Sequence, residues 1–378
     1  MDLEATEARF CRGMAEIPRT EWNRLAGCQP TMQHEFLHAL ETFGCVGSGT
    51  GWHPTHLTLW RAGRLVGAMP LYIKSHSYGE YVFDWSWANA YEQQGLPYYP
   101  KLVCAVPFTP VPGPRLLAES EPDRLRLIER ALSYAKETGL SSFHCLLPHE
   151  QDDQALQACG LMQRQGYQFH WTNPGYDHFE AFLEALTHDK RKKIRQERRK
   201  VHAAGLRFEI RRGKEICEED WSFFYRCYAH TYRDHRSTPY LNLDFFLGLS
   251  AALPECTLLV SAFQDNLPIA SALNLVDHDR LYGRYWGALK FVPGLHFETC
   301  YYQSMEYCIH RGIRVFEGGA QGEHKLARGF LPVITRSWHW LADPRIGAAV
   351  ANFLAREGRA VESYLSEMEG PYKQDGPA

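Results

Sequence analysis

The sequence predicts an α/β protein built from two tandem domains, each a mixed β-sheet flanked by helices, with a basic helical segment between the copies. Three observations carry that prediction. At 378 residues the chain exceeds the usual size of one domain. A hairpin–helix–strand plan occurs twice: Arg61-Ala62-Gly63-Arg64 joins the apolar runs His56–Trp60 and Leu65–Ile73, and Gln264-Asp265-Asn266 joins Thr257–Phe263 to Leu267–Val276. With the turns superposed, Leu65, Ala68 and Leu71 fall on Leu267, Ala270 and Leu273, and Leu132, Tyr134, Gly139, Leu140 and Phe143 fall on Met305, Tyr307, Gly312, Ile313 and Phe316. A match that persists across hairpin, helix and strand favours duplication. The expected boundaries are 1–180 for the first domain, 181–210 for the basic segment and 211–378 for the second domain.

In the second copy, Leu281–Trp286 is rich in aromatic and aliphatic residues, as a buried strand should be. Gly287, Pro293 and Gly294 then predict a loop. Phe297, Tyr301, Met305, Cys308 and Ile309 recur at helical spacing, with Glu298 near the positive end of the dipole and Gly312 where a left-handed C-terminal residue is wanted. Ile313–Phe316 reads as a second inner strand, ended by Glu317-Gly318-Gly319. The free amides at the start of the 297 helix suit an anionic group. An ordinary strand–helix–strand unit without a ligand is the plain alternative.

The first copy differs between hairpin and helix, where an insert spans 75–117. It carries Asp84, Trp87 and Asn89 in one aromatic run, then Tyr98-Tyr99-Pro100-Lys101, then Val106-Pro107-Phe108-Thr109-Pro110. Structureless inserts of such length tend to be functional, and this composition suits a pocket wall. A rigid aromatic cap over the sheet is the alternative.

Composition narrows the partners. A net charge of −3 gives no global attraction to nucleic acid or anionic lipid, so any such attraction must be local. Eleven cysteines without a C-x-x-C pair argue for reduced thiols and a cytoplasmic setting. The acidic N-terminus does not read as a signal peptide, and no apolar run is long enough to span a bilayer. There is no Walker loop, Rossmann fingerprint or H-E-x-x-H, and His230 and His235 lack a shared helical face and a third ligand, so no metal site is expected.

Local charge is concentrated between the copies. Eight of the eleven residues from Lys190 to Lys200 are basic, in a stretch where Thr187 can cap a helix and Ile194 and Val201 share one face. Lys190, Arg191, Lys193, Arg195 and Arg198 are the candidate phosphate contacts, for tRNA, a pyrophosphate carrier or a membrane surface. A solvated helix face explains the same pattern without a ligand.

Three of these features together resemble the FemAB-like branch of the GNAT superfamily, labelled a peptidoglycan biosynthesis or recognition family. They are the insert motifs around Tyr98–Leu102 and Val106–Pro110, the basic helix, and Glu317-Gly318-Gly319-Ala320-Gln321-Gly322-Glu323-His324-Lys325 followed by Gly329-Phe330. The resemblance runs from about Gln33 to Pro344. It implies two GNAT-like domains and the transfer of an amino acid from aminoacyl-tRNA to an amine of a peptidoglycan precursor, with no bound cofactor. Two departures stand out. Glu317 replaces the usual Asp before the paired glycines, and His324-Lys325 has His where Phe is usual, with one extra residue before Gly329.

Transfer to an amine needs a deprotonated amine, a stabilised oxyanion and a proton for the leaving group. An activated ester needs no enzyme nucleophile, and positioning supplies much of the rate. Lys325 is the candidate cation beside the oxyanion or ester phosphate, and Glu317 and His324 are candidates for taking the amine proton or orienting Lys325. Asp84 and Lys101 are candidates for holding an acceptor's amine and its carboxylate or phosphate, with Trp87, Asn89, Tyr98 and Tyr99 around them. Arg284 and Tyr285 sit on the strand beside the donor loop, where core packing of the tyrosine is the alternative. Residues 287–296 lack the glycine pattern that holds a CoA pyrophosphate, which favours aminoacyl-tRNA over acyl-CoA as co-substrate. An acyl-CoA N-acyltransferase, a non-enzymatic binder of cell wall or RNA, and a peripheral membrane contact remain as other readings.

Overall fold

A computed structural model describes residues 6–319, 322–368 and 370–373. The described residues fall into two compact units, one made of those up to 167 with 334–367 and the other of those from 168 to 333 with those after 367. The stretch 334–367, expected in the second domain, therefore packs with the first.

The first unit holds two sheets. One is antiparallel, in the order Glu7–Cys11, His56–Arg61, Arg64–Met69, Leu117–Ala118. The other runs Trp52–Pro54, Leu71–Lys74, Lys101–Cys104, Ser142–Leu146, and is closed by Ser337–Leu341. The run Leu65–Ile73, expected as one strand, is two, Arg64–Met69 and Leu71–Lys74, divided at Pro70. Proline has no amide to give a ladder, and there the chain leaves one sheet for the other. The helix Glu121–Glu137 buries Leu127, Ile128, Ala131 and Ala135 against Leu57, Leu59 and Phe143. A second cluster packs Trp87, Tyr91 and Tyr98 on Ile346, Val350 and Leu354 of the long helix Pro344–Ser366.

The second unit holds the strands Leu206–Arg212, Thr257–Gln264, Leu267–Val276, Arg280–Ala288 and Val315–Glu317 in that order, with residues 170–172 of Met162–Thr172 alongside the last. The helices Glu218–Asp234 and Leu243–Ala252 add Trp221, Phe224, Tyr228 and Phe246, against which Tyr285 packs.

The two units repeat one topology. Both hairpin turns use left-handed residues, Ala62 and Gly63 at φ 50° and 75°, Asp265 and Asn266 at φ 50° and 61°, the combination that matches strand twist. In each, the strand after the hairpin pairs in parallel with a strand reached through a helix: Lys101–Cys104 with Ser142–Leu146, and Arg280–Ala288 with Val315–Glu317. Gly139 and Gly312 end the two helices at φ 71° and 69°. The next strand comes from the other half of the chain in both cases. The 75–117 insert is accordingly not structureless. It contains the helix Trp85–Gln93 and the strand Lys101–Cys104, the first-unit counterpart of Arg280–Ala288.

Candidate active site

In the first unit the expected acceptor residues form a buried ionic network, in which Glu80 Oε1 and Asp84 Oδ1 have no hydrogen-bond partner among the described residues. Lys101 is fully buried, and its ammonium donates to Ser77 Oγ at 2.8 Å, to Glu80 Oε2 at 2.8 Å and to Asp84 Oδ2. The Tyr98 hydroxyl also donates to Asp84 Oδ2. Burial pushes Asp84 up, but the adjacent Lys101 outweighs it and holds the carboxyl at about 2. Burial lifts Glu80 to about 7 against the same lysine, and lowers the neighbouring Lys74 to about 7. Lys74 lies over the Trp52 ring, 3.7 Å from its centroid. The network continues from Tyr98 through His144 to His339, whose Nδ1 atoms are 2.7 Å apart. Asp84, Trp87, Tyr98 and Lys101 are thus interior residues, Tyr99 is half-buried with its hydroxyl 2.8 Å from Ser77 Oγ, and Asn89 is on the outer face of its helix. The structure corrects the picture of Asp84 and Lys101 as an open acceptor site: each already has the other as its partner.

In the second unit the parallel pairing of Arg280–Ala288 with Val315–Glu317 covers three residue pairs, Arg280 to Tyr282 against Val315 to Glu317. Beyond it the first strand runs on to Ala288 while the second ends. At that fork lies Glu317, 4% exposed, taking one hydrogen bond from Arg280 at 3.0 Å while its Oε2 has no partner among the described residues. Burial raises its pKa to about 7, with Arg280 opposing. His170 is its partner across the sheet, kept neutral near 3 by burial and by the positive charges of Arg280 and Lys325.

Lys325 follows in a single 3-10 segment, Glu323–Arg328. It is 1% exposed, and its ammonium donates to the Gly319 carbonyl at 2.9 Å. Burial lowers its pKa to about 8. No carboxylate pairs with it among the described residues. The lysine stem lies over Gly318, where an added Cβ would stand 3.3 Å from Lys325 Cδ and 2.8 Å from the Phe330 ring. Gly318 is therefore a close-approach glycine. His324 is exposed, 3.1 Å from the Tyr301 hydroxyl, and burial with the charges of Arg328 and Lys325 keeps its pKa below the usual value. Ala320 and Gln321 of the same motif lie outside the described residues.

Other residues complete the surroundings. Arg328, 2% exposed, lies over the Phe297 ring and donates to Glu197 Oε1 and to the His324 carbonyl, both at 2.6 Å. The helix Leu295–Arg311 contains a π-helical segment, Glu298–Tyr302, a distortion frequent at functional sites. Arg284 donates to the Tyr285 hydroxyl at 3.1 Å, and the Tyr285 ring belongs to the aromatic core.

The basic helix is real, His188–Ala203, with Ile194 and Val201 buried. Its charges divide by face. Arg198 points inward, bonded to Glu298 and Glu306 at 2.7 to 3.2 Å, and is not available to a phosphate. Lys190 and Arg191 are half-buried, Arg195 pairs with Glu180, and Lys192, Lys193, Arg199 and Lys200 face outward. The inward position of Arg198 was readable from the sequence, since it lies one turn from Ile194. Glu197, Arg328 and Glu298 gave no such signal, because their partners are distant in sequence.

Among solved structures, FemX is similar with a TM-score of 0.55 at 12% identity, covering 89% of this chain and 98% of that one. The C-terminal domain of a putative lysylphosphatidylglycerol synthetase from Agrobacterium fabrum gives 0.54 at 10% identity, over 92% of this chain and 98% of that one. L-PGS from Bacillus licheniformis gives 0.52 at 10%, over 85% and 96%. At these identities the likeness is one of fold. No curated protein matches the sequence. The family model for FemAB-like proteins, described as peptidoglycan biosynthesis or recognition, matches residues 13–374, nearly the whole chain, and the protein belongs to that family.

Proposed function

We propose that this protein transfers an aminoacyl or related acyl group from an activated ester, with aminoacyl-tRNA as donor, to an amine of a cell-wall precursor or small peptide. The observation that carries the reading is Lys325, a buried ammonium at a strand fork with a carbonyl for its partner and no carboxylate. A cation left without a counter-charge in a low-dielectric setting favours an arriving anion, as an oxyanion or ester phosphate would be. At a pKa of about 8 it is mostly protonated at neutral pH. Glu317, at about 7 and with an unpartnered oxygen, suits a proton acceptor.

The chemistry follows from those placements. The amine attacks the ester carbonyl, the C–N bond forms, and the oxyanion takes the place of the Gly319 carbonyl on Lys325. The amine proton passes to Glu317 or to neutral His324. The C–O bond to the ribose then breaks, and the departing hydroxyl takes a proton back. The outward lysines and arginines of the basic helix supply attraction for a polyanionic carrier. Family membership supports the acceptor class.

The test is transfer of a labelled amino acid from a panel of charged tRNAs to amine acceptors that include muropeptide precursors. Transfer lost in Lys325→Ala supports the reading. No transfer across the panel, together with thermal stabilisation by CoA thioesters and not by tRNA, would replace it with CoA-dependent acylation.

A further inference from the structure

We infer that the tip of the second unit formed by Leu289, Lys290 and Phe291 docks the protein on an anionic lipid surface. Phe291 is 89% exposed and Leu289 38%. Among the described large hydrophobic residues Phe291 is the most exposed and Leu267, at 68%, comes next. Leu267 is near this tip: it follows the turn of the hairpin whose second strand pairs Ala270 with Ala288, and Leu289 donates its amide to the Ile269 carbonyl. Two loops at one end of the sheet therefore present aliphatic and aromatic side chains to water.

Positive charge lies beside them. Lys290 donates to Gln264 at 2.6 Å, and Gln264 donates to the carbonyl of Ala204, which caps the basic helix, at 2.9 Å. This relay fixes the tip next to the last turn of that helix, which carries exposed Lys200. On the strand that follows, Arg207 stacks on Phe263 at 4.6 Å but is paired with Glu209, so the free charge comes from Lys290 and Lys200. The partner of Lys290 is neutral, so its charge remains available. Acidic residues mark the limit of the surface: Asp265 lies in the hairpin turn, and Leu267 itself lines a groove with Glu218, Glu219 and Arg226. The contact is therefore centred on Leu289–Phe291.

Apolar tips flanked by cations match the boundary of an anionic bilayer, where rings and aliphatic chains enter the acyl edge and ammonium groups meet headgroups. A single-stranded RNA would use stacked aromatic platforms, which leucines do not provide. No helix among the described residues is long and apolar enough to cross a membrane, so the contact is peripheral.

Co-sedimentation of the full chain with vesicles tests the inference without any assay of transfer. Wild type is expected to pellet with vesicles of equal parts phosphatidylcholine and phosphatidylglycerol, less at high salt, and not with phosphatidylcholine alone. Phe291→Asp, at a site too exposed to disturb folding, should weaken binding roughly tenfold or more, and Lys290→Glu about fivefold. Failure to pellet with the mixed vesicles, or unchanged pelleting of Phe291→Asp, overturns the proposal. So does a Phe291→Asp defect confined to tRNA retention or to self-association.

Discussion

The first unit of this protein buries Lys74 and Lys101 and the second buries Lys325, and of these Lys101 and Lys325 live in opposite electrostatic settings. Lys101 has two carboxylates within hydrogen-bonding distance, and although burial pulls its pKa down, Glu80 and Asp84 raise it above the ordinary value. Lys325 has only a peptide carbonyl, and burial pulls it down to about 8. The first charge is neutralised by its own fold. The second has no carboxylate partner among the described residues. The two units share a topology, and two carboxylates distinguish the setting of Lys101 from that of Lys325.

The largest expected effect breaks the first half of that comparison. Lys101→Met leaves Glu80 and Asp84 buried and repelling each other, so urea unfolding should show a loss of about 3–5 kcal/mol. Next is Lys325→Ala, expected to lower transfer by roughly 100- to 1000-fold, measured as kcat/KM, with little change in the unfolding midpoint. If the lysines were equivalent, both variants would show the same pattern.

A smaller effect separates the faces of the basic helix. Arg198→Ala leaves Glu298, whose side chain is fully buried, with Gln303 as a donor but without its cation, and should cost about 2 kcal/mol in thermal or urea unfolding. Arg195→Ala removes an exposed pair with Glu180 and should stay within about 0.5 kcal/mol, while weakening tRNA retention.

The pH dependence sharpens the comparison from the chemical side. Glu317 must lose its proton and Lys325 keep its own, so the rate should rise through about pH 7 and fall beyond about pH 8. Glu317→Gln removes the acidic limb. The stability signs differ. Glu317, raised from 4.5 to about 7, binds protons more tightly when folded, so its contribution falls as pH rises through that window. Lys325, lowered from 10.5 to about 8, holds its proton less tightly when folded, so stability rises from pH 8 towards 10.5.

Much of the second unit was legible in the sequence because its signals are local. The strand at Leu281–Trp286, the helix after the loop, Gly312 and the stop at Glu317 all rest on periodicity and on glycine. The first unit was harder. Lys101–Cys104 is four residues long and begins with a lysine, whose burial depends on Glu80 and Asp84, 21 and 17 residues away. The pairing of Ser337–Leu341 with Ser142–Leu146 joins segments nearly two hundred residues apart, and no local pattern encodes it. The site shows the same division. Lys325 and Glu317 stand in a motif, whereas the depth of Lys325 and its bond to Gly319 depend on tertiary packing.

The most direct test of the central claim is a single-turnover measurement of aminoacyl transfer to an amine acceptor, comparing wild type with Lys325→Ala at matched folded concentration. The account predicts a rate lower by at least roughly 100-fold in the variant, together with loss of the alkaline limb near pH 8. An unchanged rate, or an alkaline limb that survives without the lysine, would contradict it.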